Sequence, residues 1–155
     1  MGVGIATQAA LHGYPTIVHD IDAARLASVH GKAEAILDEL IDAGVFNSGD
    51  KQQVLARIET TDQLARVATA GFIVEAIPEV LELKSRTYRA LEPLLRDDAI
   101  FASNTSGFPP DLLAQALQNN LLGSLGSDTA KVLSFLVDFD SLANLGILAA
   151  GLGLR

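Results

Sequence analysis

The chain has 155 residues, 49% hydrophobic and 19% charged, with 19 acidic against 11 basic side chains and a formal net charge of −8. That is the size of one ordinary domain with enough apolar side chains to bury a core, and its acidic balance disfavours phosphate backbones and anionic lipid surfaces, so neither nucleic acid nor a membrane is expected as a partner. The absence of cysteine excludes a disulfide framework, a thiolate zinc site and a cysteine nucleophile. No run of about 20 apolar residues offers a spanning helix. The opening Met1-Gly2-Val3-Gly4 has no basic segment of a signal peptide, and Ala6 stands where N-myristoylation needs Ser or Thr. A cytoplasmic location is the expectation.

The elements follow in order. Residues 2–13 predict a helix of small side chains closed by Gly13, and Tyr14–Asp20 a short strand. Asp22 is a good N-cap for one long helix in which Leu26, Val29, Ala33, Ile36, Leu37, Leu40 and Ile41 recur at helical spacing. Gly44 and Asn47-Ser48-Gly49-Asp50 break it. A short helix is expected over Lys51–Ala56, a strand over Arg57–Thr61 and a short helix over 62–68. The apolar run Gly71–Ile77 reads as a strand buried on both faces. Glu79–Leu91 predicts a helix, Ala99–Ala102 a second buried strand, and Pro109–Gln118 a helix with proline in its first turn. Alternating strands and helices predict a parallel α/β layer. Beyond Gln118 the chain turns glycine-rich and weakly charged. The tail, residues 119–155, reads either as a hydrophobic helix packed on the sheet or as a segment foreign to the fold.

Three places could carry chemistry. A helix opening on Gly2-x-Gly4 can receive a pyrophosphate on its free N–H groups, although the same glycines serve plain close packing. Asp20, at the end of the next predicted strand and 18 residues after Gly2, is placed to accept hydrogen bonds from a ribose 2′-hydroxyl and to repel a 2′-phosphate. It could equally cap a helix, and Asp22 competes for both roles. Finally, Glu75-Ala76-Ile77-Pro78-Glu79 and Ser103-Asn104-Thr105-Ser106-Gly107 leave predicted strands at their carboxyl ends, where open parallel sheets form their ligand crevice. For the second string, turn and cap chemistry is the alternative. His12, His19 and His30 are the only histidines, and no spacing among them suggests a metal.

Together, MGVGIATQAALHGYPTIVHDID, IVEAIPEVLELK and AIFASNTSGFPPDLLA resemble the NAD-binding domain of the 3-hydroxyacyl-CoA dehydrogenase family over roughly residues 1–118. The resemblance implies a Rossmann-like doubly wound parallel sheet and oxidation of an L-3-hydroxyacyl-CoA to the 3-ketoacyl-CoA with NAD as hydride acceptor, as in fatty acid β-oxidation. It implies that Gly2 and Gly4 belong to the dinucleotide fingerprint and that Asp20 holds the adenosine ribose. Ala76, Ile77, Glu79 and Lys84 would lie along the cofactor, with Asn104 towards the nicotinamide. Ser106 would hydrogen-bond the substrate hydroxyl and contact the cofactor. Full-length family members are expected to be homodimers.

Against the family pattern, the chain begins at the Met of Gly-x-Gly-x-Met-Gly-x-Gly, so the first strand and two glycines of the fingerprint are expected to be missing. The helix around residues 22–43, which the family uses towards CoA, carries Glu34, Asp38, Glu39 and Asp42 against Lys32 alone. Some twenty residues after SNTS the family places a general-base His; Leu125 falls near that position and no His follows residue 30. The implied reading is a partial dehydrogenase, inactive alone. The alternatives are a related dehydrogenase of small 3-hydroxy acids, of gulonate or carnitine type, and a non-catalytic nucleotide-binding module.

Overall fold

The computed structural model describes residues 1–105, 107, 108 and 132–134. Helix α1 (Gly2–Leu11) leads into strand β1 (Thr16–His19) through Gly13, whose φ of 93° is a left-handed conformation that glycine adopts without strain. Asp22 caps the next helix as expected, accepting from Ala24 N at 2.8 Å and Arg25 N at 3.2 Å. The single long helix expected there is two: α2 (Ala23–Ala27) and α3 (Val29–Asp42). Ser28 divides them. Its Oγ donates to Arg25 O at 2.7 Å, a local bond that competes with the helical ladder. Gly44, at φ 71°, terminates α3.

A 3₁₀ turn (Ser48–Asp50), with Asn47 Oδ1 accepting from Gly49 N, leads into α4 (Lys51–Leu55) and β2 (Ile58–Thr61). Helix α5 (Leu64–Val67) precedes β3 (Phe72–Glu75), and α6 (Leu81–Leu91) precedes β4 (Ile100–Ser103). Residues 132–134 form β5 (Val132–Ser134). The helix expected over Pro109–Gln118 and the rest of the tail lie outside the described residues.

Every strand pairing among the described residues is parallel. Strand β1 pairs with β2, Thr16 opposite Ile58 and His19 opposite Thr61. Strand β3 pairs with β4, Phe72 opposite Ile100 and Glu75 opposite Ser103, and β5 takes the other edge of β4. Within the tail, residues 132–134 supply a strand that pairs in parallel with β4. Among the described residues the strands form two groups, β1-β2 and β3-β4-β5, with no strand joining β1 to β3.

Each group has its own core. Ala10, Val29, Ala33, Leu37, Val54 and Ile58 pack α1, α3 and α4 against β2. Ala68, Ile73, Tyr88, Leu91 and Phe101 pack the end of α5 and helix α6 against β3 and β4, with the Tyr88 and Phe101 rings edge-on at 5.0 Å. Strand β3 is buried on one face only: Ile73 and Glu75 point inward, while Phe72 and Val74 are half-buried. Leu37 is wholly buried in the first core. Leu37→Ala is therefore expected to cost about 2–5 kcal/mol, the range for truncating a buried leucine, read as a lower urea midpoint with an unchanged slope.

Candidate functional site

The carboxyl ends of β3 and β4 are tied together from within. Glu75, the last residue of β3, is 5% exposed. Strand alternation from Ile73 aims its side chain into the protein under α6. There the carboxylate accepts Lys84 Nζ at 2.9 and 2.8 Å, Tyr88 OH at 2.6 Å and Ser103 Oγ at 2.7 Å. It also accepts the backbone N–H of Ile77 at 2.7 Å. Lys84 and Tyr88 lie one helical turn apart on the inward face of α6, and Ser103 closes β4. Burial, reinforced by the Glu75 carboxylate at its hydroxyl, pushes the Tyr88 phenol well above the ordinary tyrosine range.

Lys84 has no exposed side-chain surface. Its second partner is Glu79, at 3.2 Å. The helix expected from Glu79 begins only at Leu81, because Val80 is extended at φ −122°, ψ 111° and exposed. Freed from helical geometry, the Glu79 carboxylate crosses to the β4 exit, where it accepts the Thr105 hydroxyl and, at 2.9 Å, the Gly107 N–H. A Cβ at residue 107 would stand 2.9 Å from Glu79 Oε1 and 3.3 Å from its Cγ, so glycine permits this approach. The Thr105 hydroxyl, the Gly107 N–H and Lys84 together hold the Glu79 carboxyl below its ordinary range.

Above this staple lies an open cleft of about 280 Å³, lined by Met1, Ala76, Ile77, Glu79 and Asn104. Met1 precedes α1, so the helix opens onto the cleft. No side chain caps it and its first turn holds no acid, which leaves its free N–H groups and positive end available to an anion. A Cβ added to Gly2 would stand 3.7 Å from Ala76 Cβ, filling the space between the helix end and the β3 exit. At Gly4 such an atom would meet nothing within 4 Å, so close packing does not account for that glycine. Asn104 Nδ2 lies against Met1 Sδ. This structure fits a dinucleotide at its phosphate-binding end: an uncapped helix terminus, a glycine at the closest approach, and polar strand exits opposite.

Asp20 follows β1 with its carboxylate partly exposed. One oxygen accepts Asp22 N at 3.0 Å, and the other faces Arg25 Nη1 at 3.6 Å. Arg25 also stands 3.6 Å from Asp22. The two aspartates that compete in the sequence are thus separated: Asp22 caps α2, and Asp20 closes the turn with oxygen lone pairs to spare.

The structure brings Ala76, Ile77, Glu79 and Asn104 together around the end of α1. Lys84 lies beneath them, its ammonium enclosed by carboxylates. Ser106 lies outside the described residues. Glu75 and Thr105 stand in the two strings that the sequence marks at strand exits, but the bonding of Glu75 with Lys84 and Tyr88, and of Thr105 with Glu79, escaped the sequence reading. One signal was present: an acid ending an otherwise apolar strand, nine residues before a lysine, in a position that burial makes costly unless paired. Among the described residues no group of three His, Asp or Glu could hold a metal, and no helix is long and apolar enough to cross a membrane.

Residues 1–122 match the family described as 3-hydroxyacyl-CoA dehydrogenase, NAD binding domain. The chain is 36% identical over 118 residues to the fatty acid oxidation complex subunit alpha of Psychrobacter cryohalolentis, an alignment covering 76% of this chain and 16% of that protein. It superposes on M. tuberculosis FadB2 with a TM-score of 0.71 at 27% identity, covering 75% of this chain and 41% of that one. Against the (S)-3-hydroxybutyryl-CoA dehydrogenase PaaH1 of Ralstonia eutropha the TM-score is 0.71 at 28% identity, covering 76% and 42%. The chain therefore spans less than half the length of these relatives.

Two outcomes are expected from this geometry. Lys84→Met strands the Glu75 carboxylate in a dry interior and should destabilise by about 3–5 kcal/mol, the cost of breaking a buried pair on one side, measured by urea unfolding. Glu79 carries a lowered pKa, so the stability it contributes is complete above its ordinary 4.5 and is lost as the pH falls through its lowered value. Glu79→Gln should accordingly flatten the stability-against-pH curve in that acid window and nowhere above it.

Proposed function

The chain belongs to the 3-hydroxyacyl-CoA dehydrogenase family, through its NAD-binding domain, and from that membership we propose that it binds NAD in the cleft at the end of α1 as the cofactor part of a fatty 3-hydroxyacyl-CoA dehydrogenase. One observation carries the reading. The uncapped, acid-free terminus of α1 opens directly onto Ala76, Ile77 and Asn104 at the exits of two parallel strands. A pyrophosphate needs such a terminus, and in open sheets ligands occupy the crevice outside the strands' carboxyl ends.

In this reading the N–H groups around Gly2 and Gly4 receive the pyrophosphate, and Asp20 accepts the adenosine ribose 2′-hydroxyl. Ala76, Ile77 and Glu79 form the floor under the dinucleotide, and Asn104 stands towards the nicotinamide end. Ser106 orients the substrate hydroxyl. When bound, NAD accepts the hydride that leaves the carbinol carbon of the substrate. The hydroxyl proton must go to a base, and none of the three histidines lines the cleft. A general base contributes typically about 10²–10⁴-fold, so this stretch of chain supplies cofactor binding and substrate orientation rather than a complete turnover. The substrate follows the relatives' chemistry, a 3-hydroxyacyl thioester of CoA.

Titration of the purified chain with NADH and NADPH, followed by nicotinamide fluorescence, tests the reading. Saturable NADH binding is expected, with NADPH at least about tenfold weaker because its 2′-phosphate meets the Asp20 carboxylate. Asp20→Ala should weaken NADH and erase most of that discrimination. No NADH binding, or equal affinity for the two in the unmodified chain, would overturn the assignment.

A further inference from the structure

We propose that Glu75 is the positioning residue of the cofactor cleft: its buried carboxylate, and the Lys84 ammonium it shares with Glu79, set the shape of the walls that a dinucleotide meets, without touching the ligand. The inference rests on the NAD reading above and extends it to residues beneath the site. Each link is a contact already described. Glu75 Oε1 receives Ile77 N–H at 2.7 Å and so fixes the backbone of the first cleft-lining turn. The same oxygen receives Lys84 Nζ, which reaches on to Glu79, a second lining residue. Glu79 in turn clasps Thr105 and Gly107, on either side of Ser106. Glu75 Oε2 holds Ser103, the residue immediately before Asn104. The walls contributed by β3 and β4 therefore hang from one carboxylate and one ammonium.

The energetics point to position rather than stability as the reason these charges are kept. A buried ion pair is worth little against well-packed apolar side chains of similar volume, because desolvation cancels most of the attraction. What apolar side chains cannot replace is the set of directed bonds to Ile77 N–H and, through Lys84, to Glu79. Removing both charges together should thus separate two properties that removing one charge confuses. The fold should survive, and the cleft should lose its shape.

The test is the double variant Glu75→Met/Lys84→Met, compared with the unmodified chain by urea unfolding and by NADH titration. A folded chain is expected, with a loss of stability no larger than that of Lys84→Met because Tyr88, Ser103 and Ile77 N–H lose their acceptor, and with the NADH dissociation constant raised about tenfold or more, the scale of losing one charge-assisted hydrogen bond at the site. Leu91→Ala is the stability control. It truncates a buried residue at the far end of α6, and the folded fraction should bind NADH as before. Thr105→Val carries the test if the double variant does not fold, since it removes only the hydroxyl end of the clasp; weaker NADH binding is expected at little cost in stability. NADH affinity unchanged in the double variant, or in Thr105→Val should that variant carry the test, overturns the positioning role while leaving the NAD reading in place. So does affinity that merely tracks stability across all variants, Leu91→Ala included. Absence of NADH binding in the unmodified chain overturns both.

Discussion

A fully buried ammonium is the constraint around which the better part of this fold is arranged. Lys84 cannot sit on the inward face of α6 unless anionic oxygens surround it, because an unpaired charge in a dry interior is among the costliest things a protein can hold. Glu75 at the end of β3 and Glu79 in the loop after it meet that demand, and their remaining oxygen lone pairs then require donors of their own. Tyr88, Ser103, Ile77, Thr105 and Gly107 supply them. Satisfying one cation thus recruits a helix and two strand exits into a single hydrogen-bonded unit. Such a network holds its geometry only while every member is present.

The division of the strands into two groups gives the cleft its location. Helix α1 packs with α3 and α4 on the β1-β2 group through Ala10 and its neighbours, yet its first residues stand beside Ala76, which leaves the other group. The helix terminus therefore bridges the two. In an open α/β sheet the crevice lies at the carboxyl edge where the chain reverses its direction of winding, and here that edge has glycine on one side and polar strand exits on the other. The chain superposes on two longer relatives at TM-scores of 0.71.

Much of this was legible in the sequence because it depends on local chemistry. Gly13 and Gly44 stop helices by adopting positive φ, Asp22 caps, and short apolar runs become β3 and β4. What could not be read depends on contacts between distant residues. The periodicity of residues 22–43 is continuous across Ser28, and only a serine-to-carbonyl bond shows the break. Glu79 scores as a good first-turn residue, but the pull of Lys84, Thr105 and Gly107 leaves it outside α6. The residues of α6 that face inward are Lys84, Tyr88 and Leu91, and a lysine hidden by two carboxylates looks polar to any pattern. The strand at residues 132–134 exists through its pairing with β4, which no local signal announces. The dinucleotide reading of Gly2, Gly4 and Asp20 rests on their places at a helix start and a strand end together with the family resemblance, whereas the polar staple beneath them needed coordinates.

The placement of Arg25 has a consequence for how such a domain can change over generations. Its guanidinium stands 3.6 Å from both Asp20 and Asp22, neutralised where it is and of no evident use to a ribose. If Asp20 faces the 2′ position, the cation that a 2′-phosphate would need already waits beside it, held in check by the residue that excludes that phosphate. A lineage carrying this arrangement does not have to invent a new binding group to exchange one nicotinamide cofactor pool for the other. A single-base change that removes the Asp20 carboxylate would unmask the guanidinium that the ion pairs at the start of α2 already hold there.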